Sequence, residues 1–139
     1  MRIVRLANFV SARSGGLRTA LSNLGAGYQQ AGHEAVLIVP GRRFSDEVTE
    51  QGRVITLPGM SLPRTGGHRV VAGRSELSKL LDRLEPDRIE VSDRTTLRWT
   101  GGWARQRGVG SMMVSHESRR AGARRRRRPA HPRRCARCR

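Results

Sequence analysis

The first 134 residues of this chain contain no cysteine, so no disulfide holds whatever core they form. No apolar run is long enough to span a bilayer. The start, Met1-Arg-Ile-Val-Arg-Leu, has no apolar signal segment and goes straight into a strand pattern. These absences predict a cytoplasmic protein, and its basic balance allows peripheral contact with an anionic inner membrane face. Acidic residues are missing after Glu117, while Arg119 to Arg139 holds 11 arginines. Setting those aside from the 28 basic residues leaves 17 against 11 acids, so the formal charge of +17 falls to +6 for the rest. The extreme basicity belongs to the tail, and it does not make the body a specific nucleic-acid binder.

Complete catalytic motifs are missing too. No Ser-His-Asp order, His-Glu-x-x-His pair or placed carboxylate pair is present. No Gly-Lys-Ser/Thr follows a glycine loop, so there is no P-loop. Gly25-Ala-Gly27 falls inside a helical pattern and is no dinucleotide fingerprint. No cofactor or metal is called for. Cys135, Cys138 and His131 give three ligands at most, too few for a closed structural zinc site.

What is present is an alternation of short apolar runs with helical patterns, in a length that suits one domain. Strands are predicted at Ile3–Phe9, Ala35–Val39, Val54–Leu57, Arg88–Val91 and Ser111–Ser115. Pro40-Gly41 and Pro58-Gly59 stop the second and third. Leu17, Ala20, Leu21, Leu24 and Tyr28 recur at helical spacing, predicting a helix to Ala31 that Gly32 closes. Further helices are predicted at Ser75–Leu84 and Thr95–Arg107, the latter capped by Ser92-Asp93 and ended by Gly108. Met60–His68 reads as a loop. The pattern is that of an α/β protein: a Rossmann-like or flavodoxin-like parallel sheet with helices on both faces.

Three places carry chemistry. Gly15 and Gly16 open the first helix after the first strand. Backbone N–H groups and the positive helix end there suit an anion, and Arg18 adds a cation; the alternative is a plain tight turn. His116, in Val114-Ser-His-Glu117, lies at the carboxyl end of the fifth strand, the edge where parallel sheets bind ligands. Asp93 and Arg94 follow the fourth strand on that edge. Asp93 reads either as an acceptor contact or, more simply, as a helix cap. His33 sits at the opposite edge and His68 in a loop, and both read as structural or solvated. Trp99 and Trp103, four apart, read as core packing.

From Arg119 the periodicity stops, and a segment without large apolar residues is expected to be disordered. It reads as a basic arm for nucleic acid or membrane, as a metal site, or as an out-of-frame translation of GC-rich codons. The abrupt change at Ser118, in the middle of a fold, suits the last. If the arm is genuine, the alternative function is a small α/β binding module that uses it on nucleic acid or an anionic membrane.

Met1 to Val10, Ser14 to Ala20 and Ala31-Gly-His-Glu34 resemble the start of a GT-B glycosyltransferase of the retaining family 4 type. Glu90-Val-Ser-Asp-Arg-Thr-Thr-Leu-Arg-Trp99 and Val114-Ser-His-Glu-Ser118 are similar to the GDP-mannose-dependent α-mannosyltransferases that build mannosylated glycolipids. The resemblance implies an incomplete amino-terminal, acceptor-side domain over residues 1–118, with 119–139 outside it. It implies a nucleotide sugar, GDP-mannose, as donor and a lipid or glycan as acceptor. Gly15 and Gly16 would face the donor's diphosphate and the acceptor, Arg18 would lie near the acceptor or phosphate, and His116 would reach the donor sugar. The family holds its nucleotide mainly in a second domain with a Glu-x7-Glu motif, which is not in this sequence. The chain alone is therefore expected to be inactive, with its fifth strand an uncovered edge.

Overall fold

The computed structural model of the chain describes residues 1–10, 15–65, 67–71 and 73–114. Its elements are β1 (Arg2–Leu6), α1 (Gly15–Gln30), β2 (Glu34–Gly41), β3 (Ser45–Thr49), β4 (Gly52–Ser61), β5 (Arg69–Val71), α2 (Arg74–Leu84), β6 (Arg88–Val91), α3 (Thr100–Gln106) and β7 (Gly110–Met113). The sheet runs β3-β4-β2-β1-β6-β7. β4, β2, β1, β6 and β7 are mutually parallel. Numbered by themselves in chain order, these five lie 3-2-1-4-5, the Rossmann-like order. The order reverses at β1, so the switch point lies between β1 and β6.

Alternation along the strands builds two cores. Val4, Leu6, Val36, Ile38, Ile55, Ile89 and Val91 face α2 and α3, where Leu77, Leu80, Leu81, Leu84, Trp103 and Ala104 meet them. Ala7 and Leu37 face the other way and pack on Leu21 of α1. The helices thus cover both faces of the sheet. Trp103 is buried in the first core and Trp99 packs beside it, as their spacing predicts.

Two helix ends follow one rule. Past α1, Gly32 adopts φ 77°. Its N–H bonds to Gln29, and that of His33 reaches back to Tyr28. Past α3, Gly108 adopts φ 68°, with the corresponding bonds from Gly108 to Arg105 and from Val109 to Ala104. Both are Schellman motifs, which need a left-handed residue that glycine fills without strain.

The structure corrects the sequence reading in four places. β1 ends at Leu6 rather than Phe9, because Phe9 turns out of the strand with φ 61°. β4 continues past Pro58-Gly59 to Ser61, where β5 pairs with Gly59 to Ser61. A Cβ on Gly59 would stand 2.7 Å from that of Pro40, so the glycine permits close packing there rather than ending the strand. β3, an exposed antiparallel edge with the sequence Ser-Asp-Glu-Val-Thr, has no apolar alternation to announce it. The helix expected from Thr95 begins at Thr100. Bonds from Thr100 to Leu97, Gly101 to Arg98 and Gly102 to Trp99 make tight turns first, and Gly101-Gly102 favours helix weakly.

Candidate functional site at the carboxyl edge

The carboxyl ends of β1 and β6 meet at the switch point, and Asn8 joins them. Its side chain is buried. The amide nitrogen donates to Asp93 Oδ2 at 3.3 Å and to Thr96 Oγ1 at 2.6 Å. The amide oxygen accepts from the Val71 N–H at 3.0 Å. One residue therefore ties β1 to the turn after β6 and to β5.

Asp93 is the other half of this corner. It accepts the N–H and hydroxyl of Thr95 at 2.7 and 2.6 Å. It also accepts the N–H of Thr96 at 3.1 Å, and the Thr96 hydroxyl. Burial alone would push its carboxyl up. The bonds from Thr95, Thr96 and Asn8 outweigh that and hold it down at about 2. Asp93 does cap, but it caps the turn at Thr95-Thr96, not α3. Arg94 beside it is exposed.

Phe9 follows Asn8 in the left-handed region, a costly conformation for a residue with a Cβ. Its N–H donates to Arg69 O at 3.1 Å. Its carbonyl accepts from His68 Nδ1 at 2.7 Å, and the two rings meet edge to face with centroids 6.4 Å apart. From the sequence alone His68 reads as structural or solvated. The structure brings it to the end of β1, and so to the edge that carries the site. In the sequence, only the two glycines before it, Gly66 and Gly67, hint at a chain reversal there.

Gly15 and Gly16 begin α1 and are exposed. A Cβ on either would meet nothing within 4 Å, and neither has a left-handed φ. Among the described residues nothing demands glycine there, and the turn that leads into α1 lies outside them. The first turn of α1 has no acidic residue, and Arg18 stands exposed in it, so the helix end is electrostatically open to an anion. His116 lies outside the described residues, as do Cys135, Cys138 and His131. Val114 donates to Val91 O at 2.9 Å, which holds the chain at the carboxyl edge two residues before His116.

A groove of about 690 Å³ runs between α2 and α3, with Arg74 4.9 Å over Trp99 and Arg107 4.7 Å over Trp103. Its lining comes from α2, Trp99 and α3, and from none of the strand ends. The switch-point corner, where Asn8 and Asp93 join the ends of β1 and β6, lies at the edge where open parallel sheets bind ligands.

Residues 15–138 match the glycosyl transferase 4-like domain family. Two relatives from Mycobacterium tuberculosis, strains ATCC 25177 / H37Ra and CDC 1551 / Oshkosh, are 51% identical to the chain over 118 residues. Each is named GDP-mannose-dependent alpha-(1-6)-phosphatidylinositol dimannoside mannosyltransferase. The aligned stretch is 84% of this chain and 31% of theirs, so the chain spans about a third of the length of these relatives.

Proposed function

The chain belongs to the glycosyl transferase 4-like family, and from that premise we propose that it forms the acceptor-side wall of a retaining mannosyltransferase. The donor is GDP-mannose and the acceptor a phosphatidylinositol mannoside. The observation that carries this reading is the 51% identity to enzymes named for that reaction. The open, acid-free start of α1 at the carboxyl edge supports it.

In this reading the edge does two things. When the bond between mannosyl C1 and the diphosphate breaks, charge gathers on the leaving oxygens. The N–H groups opening α1 and the Arg18 guanidinium then lie where they can meet that charge, a stabilisation worth most where water is excluded. The corner built by Asn8 and Asp93 holds the ends of β1 and β6 rigid, so that an acceptor bordered by Asp93 and Arg94 is presented in one orientation. His116 contacts the donor sugar. Without a donor-gripping partner region, the chain alone does not turn over.

No helix among the described residues is long and apolar enough to cross a membrane. A lipid acceptor would bring the protein to the inner face of the membrane by peripheral contact.

The test is a titration of the 139-residue chain with deacylated phosphatidylinositol dimannoside. Saturable binding is expected, weakened about tenfold or more in a Gly15→Ala/Gly16→Ala variant, because two methyl groups would occupy the space that the ligand needs. The same change should raise stability, by about 0.5–1 kcal/mol for each alanine, since alanine favours helix over glycine. Undiminished affinity in the variant would remove these glycines from the site.

A further inference from the structure

β5 is already fastened to the end of β1 without the His68 ring. The Phe9 N–H to Arg69 O bond at 3.1 Å and the Val71 N–H to Asn8 Oδ1 bond at 3.0 Å do that. Arg69 adds a bond to Gly59 O at 2.7 Å. What the His68 bond adds is orientation. A carbonyl can only accept, so Nδ1 must carry the proton it shares with Phe9 O. In the neutral ring the lone pair then sits on Nε2. The Phe9 ring, inclined at 68°, flanks the imidazole.

Nε2 has no partner among the described residues. Nor is it sealed in: the one buried side-chain nitrogen or oxygen without a partner among them is Arg5 Nε. The result is a ring of fixed tautomer, partly buried, with an accessible hydrogen-bond acceptor at the carboxyl edge. It sits against Phe9, whose left-handed backbone is held in place by this same strap. A nitrogen lone pair in a fixed direction recognises a hydroxyl, and a cyclic polyol or sugar supplies several.

We propose that His68 binds the acceptor, its Nε2 taking a hydrogen bond from a hydroxyl of the inositol or mannose in the glycolipid headgroup. This rests on the mannosyltransferase reading and extends it to a residue outside the glycine loop. The competing role is a staple that acts only through Nδ1.

Two substitutions separate these roles. In His68→Asn the amide nitrogen stands near the position of Nδ1, so the bond to Phe9 can persist while Nε2 is lost. In His68→Gln the amide reaches the position of Nε2 and the Nδ1 donor is lost. The probe is deacylated phosphatidylinositol dimannoside, added to the full chain and followed by ¹⁵N NMR of the imidazole and by calorimetry. The free protein should show a protonated Nδ1, and the Nε2 resonance should shift on titration. His68→Asn should keep the melting temperature and bind about fivefold more weakly. His68→Gln should melt lower and bind better than His68→Asn.

An unmoved Nε2 resonance, or wild-type affinity in His68→Asn, would overturn the proposal. If that occurs while the Gly15→Ala/Gly16→Ala variant still binds weakly, only the assignment of His68 falls. If the unmodified chain does not bind the headgroup at all, the acceptor-side reading falls with it.

Discussion

Asp93 stands at the candidate edge by position and is structural by chemistry. Its carboxylate is spent on Thr95, Thr96 and Asn8, so it shapes the edge more than it offers free lone pairs to a ligand. That commitment has a pH signature. The carboxyl sits at about 2 in the folded protein against an ordinary 3.8, so its ionised form favours folding. The resulting stabilisation, about 2 kcal/mol, is complete above the ordinary value and is lost as the pH falls through about 2. Denaturant unfolding at pH 7, 4 and 2.5 checks this. Asp93→Asn should cost about 2 kcal/mol at pH 7 and flatten the acid limb of the profile; an unchanged acid limb would show that the carboxylate is not held as described. The corner was not legible in the sequence because Asn8 finds its partners 63, 85 and 88 positions away. An asparagine after a strand carries no sign of such distant partners. The placing of Gly15, Gly16 and Arg18 at the start of α1 was legible because strand, glycines and helix are adjacent in the chain.

At the scale of elements, the same contrast separates what the pattern announces from what packing decides. α2 was readable because Leu77, Leu80, Leu81 and Leu84 mark one face, and Gly32 and Gly108 mark helix ends. β3 is charged and exposed, and exists because β4 offers it an edge. Gly25 is another case that only packing explains. It lies within α1, where glycine is unfavourable, yet a Cβ there would stand 2.3 Å from Gln51 O and 2.7 Å from Arg5 Nη2. The helix lies that close to the β3–β4 turn. Beneath it, Arg5 is buried opposite Glu90 in register, and Glu90 accepts the Tyr28 hydroxyl at 2.5 Å. Burial lowers the Arg5 pKa, against the pull of Glu90. Gly25→Ala should therefore destabilise by about 1–3 kcal/mol, although alanine is the better helix former. Chemical denaturation gives the sign, and a stabilised variant would mean that α1 does not sit down on that turn.

For the molecule as a whole, the described residues form a Rossmann-like layer. They leave its last strand bare: β7 is exposed along its length, and Met112 and Met113 are about half exposed among the described residues. A free parallel edge with apolar side chains is a surface that larger assemblies cover. The chain corresponds to about a third of the M. tuberculosis enzymes that it resembles. Transfer needs both walls of a cleft, so the proposed role is best tested where the second wall is supplied. Residues 1–114 would replace the matching stretch of the M. tuberculosis relative, and the folded chimera would be assayed for mannose transfer from GDP-mannose to phosphatidylinositol dimannoside. The expected result is transfer by the chimera and none by the 139-residue chain alone; a chimera that folds cooperatively yet fails to mannosylate that acceptor, or an isolated chain that turns over, would overturn the acceptor-side reading.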